Sequence, residues 1–170
     1  EKERRYFGRE LQNMEGVEWV ELGEICEIFN GSRPKGGAVN SGILSIGGEH
    51  INPDGSFNLS KQRFIPEDFY EKLKRGKLEF NDIPLVKDGA TTGKCGFFDA
   101  NSPFKKAAVN EHVFILRSKT DKVIPYYLFH FLRSKKGNSE IIKFKKGAAQ
   151  GGINLSIRSL LIPLPPLDVQ

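Results

Sequence analysis

Cysteine is nearly absent from this chain: its 170 residues include two, Cys26 and Cys95, too few for a disulfide framework and too far apart for a CxxC element. Histidine is almost as scarce, with three, and none of His50, His112 and His130 has a cysteine or carboxylate at the spacing of a zinc ligand set. The same scarcity leaves no Ser-His-Asp or Cys-His set to propose, and no nucleophile elbow occurs. No apolar run approaches the ~20 residues that a helix needs to cross a bilayer, and no signal-peptide pattern opens the chain. The expectation is a cytoplasmic protein with no membrane segment, no resident metal and no catalytic nucleophile of its own.

What is present is ordinary globular chemistry, 38% hydrophobic and 28% charged residues, enough for a single domain with a core. Lys and Arg outnumber Asp and Glu by 26 to 21, a formal net charge of +5, which suits a polyanionic partner. Basic residues cluster at 72–77, 105–106, 133–136 and 143–146, and acids gather between Glu10 and Glu27. The chain opens on Glu1 rather than Met and stops soon after Pro163, Pro165 and Pro166. It therefore reads as a piece of a longer protein, with 1–16 as the tail of a preceding helix, 17–165 as the domain and 166–170 as a hinge.

Periodicity predicts an α/β (α+β) chain built around a twisted mixed sheet with short flanking helices. Val17 to Leu22 alternates like a half-buried strand, and Leu22, Ile25, Cys26 and Phe29 then switch to helical spacing. Residues 42–51 read as a strand interrupted by Gly47 and Gly48. Pro66, Glu67 and Asp68 start a helix expected to end near Gly76. Residues 83–86 and 95–98 read as short strands. Ala107 to Arg117 is the best strand, with Val109, Val113 and Ile115 on one face and Phe114 and Leu116 on the other, so it belongs in the middle of a sheet. Pro125 opens the clearest helix, whose stripe is Ile124, Tyr127, Leu128, Phe131 and Leu132 and whose far end, Arg133, Lys135 and Lys136, complements the helix dipole before Gly137 ends it; a second helix is expected over 138–146. Trp19 and the helix aromatics fall at amphipathic positions and are assigned to the core. The prolines after Ile162 exclude a helix interior and a central strand, so the chain should leave the domain extended and stiff.

The loop Asp88 to Lys94, DGATTGK, is the segment nearest to a phosphate-cradling P-loop. It has three residues between its glycines where a Walker A loop has four, and Cys95 where the magnesium-binding hydroxyl should follow the lysine. Nucleotide hydrolysis is set aside, which leaves either a DNA-gripping loop or a plain tight hairpin. Asn101 to Phe104, NSPF, comes within one proline of an adenine methyltransferase signature, but no glycine-rich cofactor loop accompanies it and it reads as a turn. His130 lies on the polar side of its helix. His112 begins the best strand, either as a strand-end hydrogen-bonding residue or as a DNA contact.

Four phrases in order carry a resemblance: VEWVELGEICEIFNG at 17–31, IPLVKDGATTGKCGFF at 83–98, VIPYYLFHFLRS at 123–134 and GAAQGGINLSIRSLLIPLPPLDVQ at 147–170. Together they resemble a target recognition domain of a type I restriction-modification specificity subunit. Trp19, Leu22 and Gly23 match its opening, Gly93 and Lys94 its central loop, Pro125, Tyr127 and Leu128 its helix, and Ile162, Pro163, Pro165, Pro166 and Gln170 its ending. Thr92 departs from the isoleucine common before that glycine. The resemblance implies a non-catalytic module that reads one half of a bipartite target in double-stranded DNA. It also implies methylation and restriction subunits as partners, which would carry S-adenosylmethionine, ATP and magnesium.

Side-chain chemistry then ranks DNA-binding candidates. Lys35, Lys94, Lys145 and Lys146 lie in or beside glycine loops, where an extended cation meets phosphate or guanine. Thr91 and Thr92 offer hydroxyls, and Arg33 has the planar fork for guanine. Gln150 and Asn154 carry the amide that suits adenine, although Asn154 is equally placed to cap a turn through Arg158. Two other readings stand beside this one: a protein-interaction module without DNA readout, and a small DNA methyltransferase fragment resting on NSPF.

Overall fold

A computed structural model describes residues 11, 14–119, 121–147 and 151–170. The first strand forms as Glu18–Glu21 (β1), with Val20 buried between exposed neighbours. It runs into a one-turn helix, Leu22–Ile25 (α1), and then into a second strand, Cys26–Asn30 (β2). The helical spacing expected through Phe29 stops at Ile25 because Cys26 and Ile28 also fit a period of two, and both are buried in β2. Strand Ile43–Ile46 (β3) is shorter than expected: Gly48–His50 is a 3-10 turn, and the chain returns through Phe64–Ile65 (β4). Helix Glu67–Lys72 (α2) ends before Gly76, since Leu73 already has strand-like backbone angles. Ile83–Val86 forms β5, entirely buried. Residues 95–98 do not form a strand; they touch it through a single bridge between Leu85 and Cys95 and a bond from the Gly96 amide to the Pro84 carbonyl at 2.9 Å.

The expected strand 107–117 is two strands, Ala107–Val109 (β6) and Val113–Ser118 (β7). Asn110 breaks it by leading a turn: its carbonyl accepts from the Val113 amide at 3.1 Å and its Oδ1 from the His112 amide at 2.9 Å. The break carries the chain from one sheet to another. β2, β7 and β5 make an antiparallel sheet with β7 in its centre; β4, β3 and β6 make a mixed one, with β3 and β6 parallel. Centrality of β7 follows from its two apolar faces. Phe114 and Leu116 enter a core with Tyr127, Leu128, Phe131 and Leu132, whereas Val113 and Ile115 enter a second core with Ile46, Val86, Phe98 and Val109.

Helix Pro125–Arg133 (α3) starts at its proline and buries Tyr127, Leu128, Phe131 and Leu132 of the predicted stripe, whereas Ile124 stands before the first turn as its N-cap and is exposed. The following helix is Lys135–Ile142 (α4), three residues earlier than expected. Ser134 caps it by accepting from the Gly137 amide at 3.0 Å. Gly137 is not a terminator but a close approach: a Cβ there would stand 1.9 Å from the Phe131 carbonyl oxygen. The 3-10 turn Leu155–Ser159 leads to Leu161–Leu164 (β8), which pairs antiparallel with β1 and places Pro163 opposite Trp19. A two-stranded ladder has only edge positions, so it admits the proline that a central strand would reject. Trp19 is 43% exposed, contrary to its expected place in the core, because β1 has a protein layer on one face only. No helix among the described residues is long and apolar enough to cross a membrane.

Candidate nucleic-acid interface

Strand directions gather the loops at one end. Asn30 pairs with Phe114 and Val86 with Val113, so the C-terminal ends of β2 and β5 lie beside the N-terminal end of β7. Ile46 pairs with Val109, which brings the C-terminal ends of β3 and β6 to the same edge. Loops 31–38, 47–50, 87–94 and 110–112 all leave from there. Residues 145–147 and 151–153 join them: the Ile153 amide bonds the Lys87 carbonyl at 2.6 Å, the Lys146 amide bonds the Gly152 carbonyl at 3.0 Å, and Gly152 fits where a Cβ would lie 2.9 Å from the Asp88 Cβ. Gly31 closes the other side, its amide bonding the Val113 carbonyl at 3.1 Å.

Three adjoining depressions mark this end, of ≈ 280, ≈ 230 and ≈ 340 Å³. Glu49, Asn110 and His112 are shared by the first two, and Thr91 by the second and third. Arg33 lines the first, and Thr91, Thr92 and Lys94 line the third beside Arg133 and Asn138. Lys35, Lys145 and Lys146 instead occupy the surrounding loops, and none of the three forms an ion pair among the described residues. Asn154 caps its 3-10 turn by accepting from the Ser156 amide at 2.9 Å, which leaves its side-chain amino group exposed. Gln150 lies outside the described residues.

Loop 87–94 is held by its own backbone. The Gly93 amide and the Lys94 carbonyl both bond Val86 at 2.8 Å, the Lys94 amide bonds the Thr91 carbonyl at 3.1 Å, and the Thr92 hydroxyl donates to the Gly89 carbonyl at 2.7 Å. Gly89 and Gly93 have φ of 88° and 89°, so both serve turns. The amides of Thr92, Gly93 and Lys94 are thus spent on the Gly89, Val86 and Thr91 carbonyls, and Thr91, Thr92 and Lys94 line the depression. Asn138 of α4 anchors the loop from below, donating to the Gly93 carbonyl at 2.9 Å. Burial pulls the Lys94 ammonium below its ordinary range, against an opposing pull from Glu49. NSPF is a turn in which the Asp99 amide bonds Ser102 Oγ at 3.0 Å and Phe104 stacks on Phe98 at 5.1 Å, so its aromatic ring belongs to the core. His130 is not free on a polar face: its ring packs against Tyr126 at 4.3 Å and Phe129 at 5.1 Å.

Sequence reasoning missed several groups at this end. Arg63 Nε donates to Glu49 Oε1 at 2.8 Å, Arg33 faces Glu111 at 3.6 Å, and the His112 ring bonds Asp88 at 2.5 Å. Burial raises the Glu49 carboxyl, but hydrogen bonds from its own amide and Arg63 outweigh it, and the net direction is downward. Only Asn110-Glu111-His112 left a signal, as three polar residues interrupting an apolar run; the partners of the others lie far away in sequence. His50 is fully buried behind Glu49: its Nδ1 accepts from the Gly47 amide at 2.9 Å, and its Nε2 hydrogen meets the Lys61 carbonyl at 2.6 Å. His50→Ala strands both backbone groups and is expected to cost about 2 kcal/mol, measured by urea unfolding. A cost near zero would show that neither bond matters.

Both cysteines are buried, and burial pushes each thiol up to about 12, so neither is a thiolate nucleophile.

Residues 14–170 match the family model described as the type I restriction modification DNA specificity domain. A putative type I restriction enzyme MjaX specificity subunit from Methanocaldococcus jannaschii is 28% identical over 156 residues, covering 88% of this chain and 36% of that subunit. Among solved structures, the HsdS subunit from Thermoanaerobacter tengcongensis has a TM-score of 0.63 at 17% identity, over 99% of this chain and 41% of that one. A type I restriction-modification S subunit from M. genitalium gives 0.62 at 12% identity, over 99% and 42%. These structural likenesses concern the fold, and the chain spans under half the length of each relative. The family match runs through the gathered loops as well as both cores, and on that match the chain belongs to the type I restriction modification DNA specificity domain family.

Proposed function

We propose that the loop-bearing end docks on duplex DNA and reads one half of a bipartite target within a longer specificity subunit. The observation that carries this reading is the convergence of five loops at one strand edge, with Arg33 and Lys94 in the depressions and, around them, Lys35, Lys145 and Lys146, which have no ion-pair partner among the described residues. Cations outside the depressions suit phosphate contacts, which position a protein, and the polar groups inside suit base edges, which specify sequence. In this reading the domain is not a catalyst. Methyl transfer with S-adenosylmethionine, and cleavage with ATP and magnesium, belong to partner methylation and restriction subunits. The methyltransferase-fragment reading loses its support, since it rested on NSPF.

The test is to express the parent specificity subunit with its methylation subunit in a methylation-free host and map modified adenines. Exchange of residues 17–165 for those of a relative with another target should change one half of the motif and leave the other intact. An unchanged motif would reject the reading. Lys145→Glu with Lys146→Glu should weaken binding to every DNA sequence and flatten the dependence of log K on log salt by about 2. A loss confined to one sequence would place these lysines at base edges instead.

A further inference from the structure

The first depression holds a set of groups that phosphate binding does not explain. Arg63 and Glu49 stand on its wall, brought together because β4 returns antiparallel to β3 and the Ser45 amide bonds the Arg63 carbonyl at 2.8 Å. Their side chains are 61% and 38% exposed, so both reach solvent. Arg63 bonds Glu49 through Nε, which fixes the plane of the guanidinium and leaves its two Nη amino groups without a protein partner among the described residues. Glu49 uses Oε1 for that bond. Its Oε2 lies in the space above Gly47, 2.5 Å from where a Cβ would be, and Asn110 Nδ2 lies at the same distance from that point. Asn110 Oδ1 is occupied by the His112 amide, so the amino group is its free side. The absent side chain of Gly47 thus makes room for an acceptor and a donor, beside the two-pronged donor of Arg63.

A carboxylate at this position is repelled by phosphate, and it halves the usefulness of its arginine as a counterion. On a base edge the same pair is productive. Guanine presents two acceptors, O6 and N7, to a forked donor, and cytosine presents the N4 amino group to a carboxylate. An A·T pair offers the fork fewer acceptors and sets thymine O4 or its methyl group against the carboxylate. We infer that Arg63, Glu49 and Asn110 form a base-edge reader for a G·C pair in the half-site, with Gly47 as the gap that lets them converge. This inference rests on the DNA-reading function proposed above.

The experiment uses the assembled methyltransferase, the parent specificity subunit with its methylation subunit, and maps methylated adenines genome-wide for wild type, Glu49→Gln and Gly47→Ala. Gly47 has φ of −121°, which any residue adopts, so alanine there displaces two side-chain ends without straining the backbone. Both variants should lose preference about tenfold or more at one position that is G·C in the wild-type motif, the preference at all other positions being kept. If Gly47→Ala does not assemble, Glu49→Gln alone decides. A wild-type half-motif without a G·C pair overturns the inference, as does a motif unchanged in Glu49→Gln. So does loss of methylation at all sites by an assembled Glu49→Gln complex, which would give Glu49 a role in general binding. The parent reading fails separately, through an unchanged motif after exchange of residues 17–165.

Discussion

Arg117→Ala is expected to destabilise the domain by about 3–5 kcal/mol, the range for breaking a buried ion pair by removing one member. Asp82 is fully buried and takes Arg117 as a fork, Nε to Oδ1 at 2.9 Å and Nη2 to Oδ2 at 2.8 Å. The same guanidinium holds Glu79 at 2.9 Å and the Lys77 carbonyl at 3.0 Å, and it lies 4.9 Å from the centre of the Phe29 ring. The Asp82 hydrogen bond raises the already high Arg117 pKa, so the cation persists at any pH the fold tolerates. Alanine leaves a buried carboxylate whose one remaining hydrogen bond among the described residues comes from the Glu79 amide, at 2.7 Å. Arg117 also joins the end of β7 to segment 77–82, which leads into β5. For a chain of this length the cost corresponds to a fall in melting temperature of roughly 10 °C. The decisive control is Arg117→Met with Asp82→Leu. Because the charges are then absent together, this pair should recover most of the loss, as measured by denaturant unfolding. A single mutant as stable as wild type would show that Asp82 is satisfied by other means.

How far the sequence discloses this molecule depends on the range of the interaction concerned. Helix α3 was legible because its signals are local, a proline at the first turn and an apolar stripe ending in basic residues. The centrality of β7 was legible for a similar reason, since apolar residues on both faces of a strand require cover on both sides. Boundaries failed where two periods compete, as at Cys26 and Ile28, or where a residue acts through a distant partner. Gly137 looks like a stop signal until the Phe131 carbonyl is seen against it. Trp19 looks like core until β1 proves to be covered on one side. The candidate site divides in the same way. Arg33, Thr91, Thr92 and Lys94 could be nominated because glycine loops advertise themselves, whereas Glu49 and Arg63 become neighbours only through the return of β4 along β3. No local pattern carries that information.

Gly31→Ala is expected to cost about 3 kcal/mol or more, and to damage the loop-bearing end together with the fold. A Cβ at this position would lie 1.8 Å from the Asn110 carbonyl oxygen and 2.6 Å from that of Val109, both rigid backbone groups. Neither can swing aside as a side-chain end would. Relief requires separating the end of β2 from the turn between β6 and β7, which breaks the Gly31 amide to Val113 carbonyl bond and the neighbouring Ser32 amide to Val109 carbonyl bond at 3.3 Å. Those two bonds also hold loop 31–38 against the 110–112 turn, and hence Arg33 against Glu111. The effect should therefore exceed that of Gly36→Ala in the same loop, where nothing lies within 4 Å of the added Cβ. Thermal unfolding of the two variants, with DNA affinity measured well below their midpoints, separates the contributions. Gly36→Ala should match wild type in both measurements. Gly31→Ala should melt roughly 6 °C lower or more and bind DNA more weakly even where it is fully folded. If Gly31→Ala kept wild-type affinity when folded, the 31–38 loop would not need its seat on the 110–112 turn, and Arg33 would have no part in DNA binding that depends on that seat.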